Sequence, residues 1–182
     1  MKNKEVEFEE LFKEIKPIQM PDNIFLSGEA FPVVTVGNKD SYNSMTASGG
    51  GLIILFKKLN TMLIFPKKRY TLELIKKEKK YTLSYFPLEY KKEVMFLGSK
   101  SGKDSNKMKE VKLESIELSS GNMSFKEAEL IIECNLSQIT TPIFPTDFFS
   151  KEAIEYMSEP YKELEEHREY VFGEVMHIWM KK

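Results

Sequence analysis

The sequence predicts an antiparallel β-barrel carrying helical insertions, a mainly-β or α+β fold, on three observations. Short apolar or alternating runs recur along the chain, each closed by Gly, Pro, Asn or Asp. Two or three lysine-studded stretches with helical spacing lie between them. The length, 182 residues, fits one domain with one substantial core.

The elements follow in chain order. Phe8, Leu11, Phe12 and Ile15 keep helical spacing, so residues 6–15 read as a short helix that Pro17 ends. Residues 1–24 are expected to form an N-terminal arm, and 25–182 the domain. Residues 31–36 alternate as a strand, and Gly37 to Asp40 supply a turn. Tyr42 to Ser48 is small and hydroxyl-rich, and Gly49-Gly50-Gly51 leads into the apolar strand Leu52 to Phe56. A turn at Lys57 to Asn60 returns the chain along Thr61 to Phe65, which stops at Pro66.

Thr71 is a suitable N-cap for a helix that buries Leu72 and Ile75 and leaves Lys76, Lys77, Lys79 and Lys80 in water. A strand over 81–86, a helix over 88–97 and a loop over 98–106 follow. Strands are expected at 111–118, 122–125, 128–136 and 170–180, with a helical stretch at 149–169. The Phe- and Pro-rich region 137–160 is expected to cover a site or an interface.

Charge excludes several function classes. Lys and Arg total 27 and Asp and Glu 28, so there is no bulk attraction to nucleic acid or to an anionic membrane. The distribution is uneven. Residues 57–109 hold 15 basic and 5 acidic side chains, and residues 110–182 hold 7 basic and 15 acidic. Tyr70, Tyr81, Tyr85 and Tyr90 interleave with lysines in the cationic block, a pattern that also occurs in stacking nucleic-acid modules. Leu72, Ile75 and Leu83 make half of that block core, which argues against such a role. The one cysteine, Cys134, makes no internal disulfide and fits a reducing, cytoplasmic setting. No apolar run approaches a membrane span, and the N-terminus carries no signal-peptide pattern.

Few residues carry chemistry on their own. Gly98 to Asp104 has three residues between its glycines and Asp after Lys103, so it fails the phosphate-loop pattern. His167 and His177 lie ten apart without a cysteine pair, so a metal centre is not expected. Cys134 sits inside an apolar strand and reads as a buried structural thiol. An anion site is the reading with support. Lys67, Lys68 and Arg69 immediately precede a helix N-terminus, where free amides and the helix dipole favour a phosphate. Ser44, Thr46 and Ser48 could add hydroxyl donors, and Lys103 and Lys107 further cations.

Six segments, in order, resemble those of the flavin reductase-like, FMN-binding split-barrel family. They are Asn43-Ser44-Met45-Thr46-Ala47-Ser48, Pro66 to Thr71, Tyr81 to Phe86, Leu97 to Lys107, Glu127 to Cys134, and His167 to Val175. The resemblance covers roughly residues 25–180. It implies a split β-barrel, FMN as cofactor, NADH or NADPH as co-substrate, and a homodimer serving a small-molecule or protein acceptor, without nucleic acid or membrane. It implies that Asn43, Ser44, Met45, Thr46, Ala47 and Ser48 line the flavin. Arg69, Tyr70 and Thr71 would contact the phosphate or ribityl chain. Ser101, Gly102, Lys103 and Lys107 would close the site, and His167 would lie near the flavin face. The family often carries Trp where this chain has Gly49, and the only tryptophan is Trp179. That departure motivates an alternative, a non-catalytic flavin-binding or electron-carrier protein.

Overall fold

The longest strand organises the molecule. β10 (Arg168–Lys181) pairs antiparallel with β9 (Leu130–Thr140) on one side along most of its length. Its other side is shared. The first half, Arg168 to Glu174, pairs with β5 (Lys58–Pro66), and the second half, Trp179 to Lys181, pairs with β1 (Phe12–Glu14). A computed structural model describes residues 4–21, 31–103, 106–141, 151–152 and 168–182.

The sheet continues outward from this spine. β9 pairs with β6 (Lys80–Tyr85), β6 with β2 (Val33–Asn38), and β2 with β3 (Ser41–Thr46). On the far side β5 pairs with β4 (Gly50–Leu55). The order is β3-β2-β6-β9-β10-β5-β4, so β3 and β4 occupy opposite edges. They are nevertheless consecutive, joined by Ala47, Ser48 and Gly49. Four Cα steps reach at most about 14 Å at ~3.6 Å per residue. The sheet must therefore roll until its edges nearly meet, although no ladder closes them.

The ladders extend as far as they can on each side of that seam. Ala47 N–H donates to Pro32 O at 2.9 Å, and Ile64 N–H donates to Gly49 O at 3.2 Å. Gly50 follows with φ +145°, and a Cβ there would lie 2.1 Å from Met62 O. The glycine run is thus the crossing point between the edges, and at Gly50 a side chain does not fit.

Inside the curl, Val34, Val36, Leu63, Phe65, Leu72, Ile75, Leu83, Ile132, Val171 and Ile178 form the main core. Each strand's inward residues alternate with outward ones. Two smaller clusters cover the outside. α1 (Lys4–Leu11) and β1 seat Phe8 and Phe12 against Ile131 and Trp179. α3 (Lys91–Ser99) seats Val94 and Leu97 against Val33 and Phe125. β7 (Ser115–Glu117) and β8 (Met123–Phe125) form a separate hairpin.

Several sequence expectations shift. The 6–15 helix stops at Leu11, because the C-terminal half of β10 has an edge that β5 does not reach and that β1 fills. The hydroxyl-rich 42–48 segment is mostly strand, β3. The 111–118 strand shrinks to β7, since Val111 closes a turn on Lys107 O. Lys151 and Glu152 aside, the expected helix at 149–169 and most of the 137–160 region fall outside the described residues, while Arg168 and Glu169 belong to β10.

Candidate functional site

Three chain segments meet at one end of the barrel. β3 supplies Asn43, α2 (Tyr70–Glu78) supplies its N-terminus, and the chain leaving α3 supplies Gly102, Lys103 and residues 106–109, with Ser101 just outside the wall. They enclose a cavity of about 620 Å³, whose walls also include the β2–β3 turn at Lys39 to Tyr42. That volume falls in the usual range for a small-molecule site, ~300–1,000 Å³.

Asn43 is the hinge of the site. It is buried, and its Nδ2 donates to Thr71 Oγ1 at 2.8 Å. This bond fixes β3 against the start of α2. Gly102 packs on the other side of the same amide. A Cβ at Gly102 would come within 2.1 Å of Asn43 Oδ1, so the loop backbone approaches where a side chain would not fit.

The helix start differs from the sequence expectation. Arg69 is the N-cap, with φ −74° and ψ 127°, and Thr71 is the second helical residue. Thr71 is not the cap because the helix begins one residue before it, and its hydroxyl accepts from the Asn43 amide. No side chain caps α2; Leu72 and Glu73 N–H donate to Arg69 O, which leaves the Tyr70 and Thr71 amides at an uncapped end. Arg69 is exposed there, and among the described residues it forms no ion pair.

Lys107 is the unusual member. Only 2% of it is exposed, and its Nζ donates to Leu97 O at 2.7 Å and Lys100 O at 2.8 Å, where α3 ends. No carboxylate accompanies it among the described residues. Burial first, and the Arg69 charge second, lower its pKa to about 8. Lys103 is placed differently. Its Nζ pairs with Glu73 Oε1 at 2.7 Å and lies 5.8 Å from the centre of the Tyr70 ring. Its backbone N–H donates to Ser101 Oγ at 3.2 Å.

The cavity therefore gathers Asn43, Tyr70, Gly102, Lys103 and Lys107, with Thr71 bonded to Asn43 and Arg69 at the adjoining helix start. Other members of the predicted set lie elsewhere. Ser44 is fully buried, and its hydroxyl shares a 2.8 Å bond with Thr35 Oγ1. Met45 and Ala47 belong to the core. Thr46 Oγ1 donates to Val94 O and ties β3 to α3. Ser48 is exposed on the seam. His167 lies outside the described residues. Alternation along β3 turns Ser44 and Thr46 away from the Asn43 face, and Met45 and Ala47, on that face, lie farther along the strand in the core. The sequence reading missed Lys39, Tyr42, Asn106 and Lys109 as cavity walls. Only the β2–β3 turn's approach to the 106–109 segment reveals them, and no local pattern encodes that approach.

The remaining chemistry is spoken for. Cys134 is buried, and burial raises its thiol pKa to about 12, so it is an inert core group. His177 sits on β10 with Nδ1 2.8 Å from Glu14 Oε1. Among the described residues, no three His, Cys, Asp or Glu side chains cluster to hold a metal ion.

No protein-family model matches the sequence, and no curated protein is similar to it. Solved structures are. An FMN-binding protein from Thermus thermophilus superposes with a TM-score of 0.65 at 17% identity, over 93% of this chain and 82% of that one. An FMN-binding domain of a flavin reductases-like enzyme from Shewanella baltica gives 0.65 at 13% identity, over 93% and 76%. A Shewanella frigidimarina protein with a split barrel domain gives 0.62 at 14% identity, over 82% and 65%. With the seam between β3 and β4 left open, the chain has the split-barrel fold of FMN-binding, flavin reductase-like proteins.

Proposed function

We propose that the chain is an FMN-binding oxidoreductase that passes a hydride from NADH or NADPH to flavin, or through bound FMN to a further acceptor. The observation that carries this reading is the cavity's charge. Among the described residues, Lys39, Lys103, Lys107 and Lys109 line it against one carboxylate, Asp40, and Arg69 stands unpaired at the adjoining helix start. A phosphate monoester is close to a dianion at neutral pH and suits such a place.

The residues fit the cofactor in kind. Arg69, Lys107 and the first amides of α2 would hold the phosphate. Tyr42, Tyr70 and Met108 offer apolar area to a planar ring, and Asn43 fixes the wall beside it. Bound FMN would supply the hydride chemistry, so the protein needs to orient donor and acceptor and exclude water rather than carry a nucleophile. Asn43 and His167 are proposed to belong to the flavin site, as the sequence resemblance implies.

A second copy is proposed as the structural partner. β4 is an edge strand that exposes Ile53 at 39% and Ile54 at 67%, and Phe56 just beyond it is 78% exposed. Phe56 and Lys57 also hold left-handed conformations, φ 52° and 63°, in the two-residue β4–β5 turn. Such turns favour Asn-Gly, so an exposed Phe there runs against both solvation and backbone preference. A homodimer across this edge removes both the open ladder and the apolar tip from water. A cytoplasmic location is proposed with it, on the single buried thiol. No described helix is long and apolar enough to cross a membrane.

The test is spectroscopic. Purified protein should be yellow or become so with FMN, and anaerobic NADH or NADPH should bleach it. Bound flavin that stays yellow with both nucleotides favours a non-catalytic flavin carrier, the reading that Gly49 in place of a family tryptophan suggests. Protein that takes up no FMN overturns the flavin reading.

A further inference from the structure

We propose that Lys107 is a proton-linked counter-charge in the cavity, so that binding of a dianionic phosphate monoester is coupled to protonation of this one side chain. The inference rests on the flavin reading for the identity of the ligand, but not for the chemistry of the site.

The geometry separates what Lys107 does for the fold from what its charge does. Two backbone carbonyls, Leu97 O and Lys100 O, accept from Nζ. A neutral amine has two N–H groups, enough for both. The third proton, present only in the ammonium, adds a third donor. Among the described residues no protein acceptor takes it, and Lys107 lines the cavity. The fold thus uses the amine, and the surplus proton is left for whatever enters.

The surroundings oppose that proton while the cavity holds only protein groups. Arg69 and Tyr70 face it from α2, and the Arg69 charge is repulsive. Glu73, the acidic residue in the first turn of that helix, is bonded to Lys103. On the α3 side, Lys100 is paired with Glu110 at 2.5 Å. From the β2–β3 turn come Lys39 and Asp40, one charge of each sign, and from the 106–109 segment comes Lys109. Burial adds to the opposition, and the ammonium titrates at about 8, well below the usual lysine value. A dianion at the helix start reverses the balance. It places opposite charge between Arg69 and Lys107 and accepts the third N–H. The phosphate monoester itself titrates near pH ~6, so above pH ~7.5 the proton taken up is not its own.

The test is calorimetric titration of the protein with FMN at pH 7, 8 and 9, each in two buffers of different ionisation enthalpy. Wild type should take up little proton at pH 7, about half a proton at pH 8 and nearly one at pH 9. Its dissociation constant should rise by up to about tenfold per pH unit above 8. Lys107→Arg keeps a cation that does not titrate, so it should bind FMN with no uptake and a flatter pH profile. Uptake that is absent in wild type, or that persists in Lys107→Arg, overturns the proposal. A parallel NMR titration of the Lys107 Cε signal needs no flavin. Added sulfate should move its midpoint upward from about 8, and a midpoint that sulfate leaves unchanged also overturns it. Failure of FMN to bind at all overturns the flavin reading, and the sulfate titration then decides the role of Lys107.

Discussion

The barrel interior and the cavity at its end are built from similar polar residues and treat them in opposite ways. Inside the barrel, Tyr81 OH shares a 2.7 Å bond with Thr61 Oγ1, and Cys134 Sγ lies 3.5 Å from the same hydroxyl. Burial drives the Tyr81 pKa well above its ordinary value and that of Cys134 up to about 12, so the cluster is neutral at every physiological pH. At the cavity, Asn43 and Thr71 are equally well bonded, yet Lys107 and the adjoining Arg69 remain as like charges that form no ion pair among the described residues. A buried group that serves only packing is neutral and satisfied. Uncompensated charge beside a cavity marks a place prepared for a ligand.

Glycine sharpens the contrast, because each region has one position where a Cβ would not fit. At Gly173 it would lie 2.1 Å from Tyr81 OH and 2.9 Å from Cys134 Cβ. Gly173→Ala overpacks the interior and is expected to cost about 3 kcal/mol or more, read by urea unfolding. Gly102→Ala meets Asn43 Oδ1 instead, on a loop that is partly exposed. Its expected cost is smaller, about 1 kcal/mol for the Asn43–Thr71 bond, but FMN affinity should fall with it. Equal stability losses at the two sites would erase the distinction.

Arg69→Ala tests the cavity from its charge. FMN should bind about 10–100-fold more weakly, the equivalent of ~1.5–3 kcal/mol for a charge-assisted hydrogen bond, while the unfolding midpoint stays near wild type. An unchanged dissociation constant places the phosphate elsewhere.

A third test uses pH without ligand. The native Lys107 titrates at about 8, whereas an unfolded lysine titrates near ~10.4. Between these values the unfolded chain binds more protons, so this group's contribution to stability rises with pH across the window. Below about pH 8 both states are charged and the contribution is flat at its least favourable. The difference in unfolding free energy between wild type and Lys107→Met should therefore slope upward from about pH 8 to ~10, and a level difference refutes the assignment.

The smallest thermodynamic effect is expected at the β4 tip. Phe56 is exposed in the single chain, and Phe56→Ser should change monomer stability by under about 0.5 kcal/mol. Its effect belongs to association, and sedimentation should show wild-type dimers and variant monomers. A dimer that survives the change lies on another face.

Much of this fold was legible because its signals are local. The strands at 31–36, 61–65, 81–86 and 170–180 alternate or run apolar between turn residues, and each is present with its boundary moved by a few positions. Helix α2 announces itself through Leu72 and Ile75 against its lysines. The misreadings share one cause. Phe12 keeps helical spacing with Phe8, yet it is strand because β10 extends past the end of β5. Ser44 looks like a donor in a hydroxyl-rich run, yet the opposite pleat gives it Thr35. In each case a partner distant in sequence chose between two locally acceptable states.

Sequence alone determined the inventory: a single cysteine within an apolar run, a cationic middle block, three glycines before an apolar strand, and Arg69 at a helix start. Composition and short-range periodicity suffice for these. Only the tertiary structure decided how they are used. Rolling the sheet brings β3 beside α2, which turns Thr71 from a cap into the partner of Asn43. The chain leaving α3 folds back on the helix end, so Lys107, one lysine among many in the sequence, becomes the buried one that faces Arg69. Charge depends on where a side chain's neighbours are, and Arg69, on another element, is not a neighbour of Lys107 in the sequence.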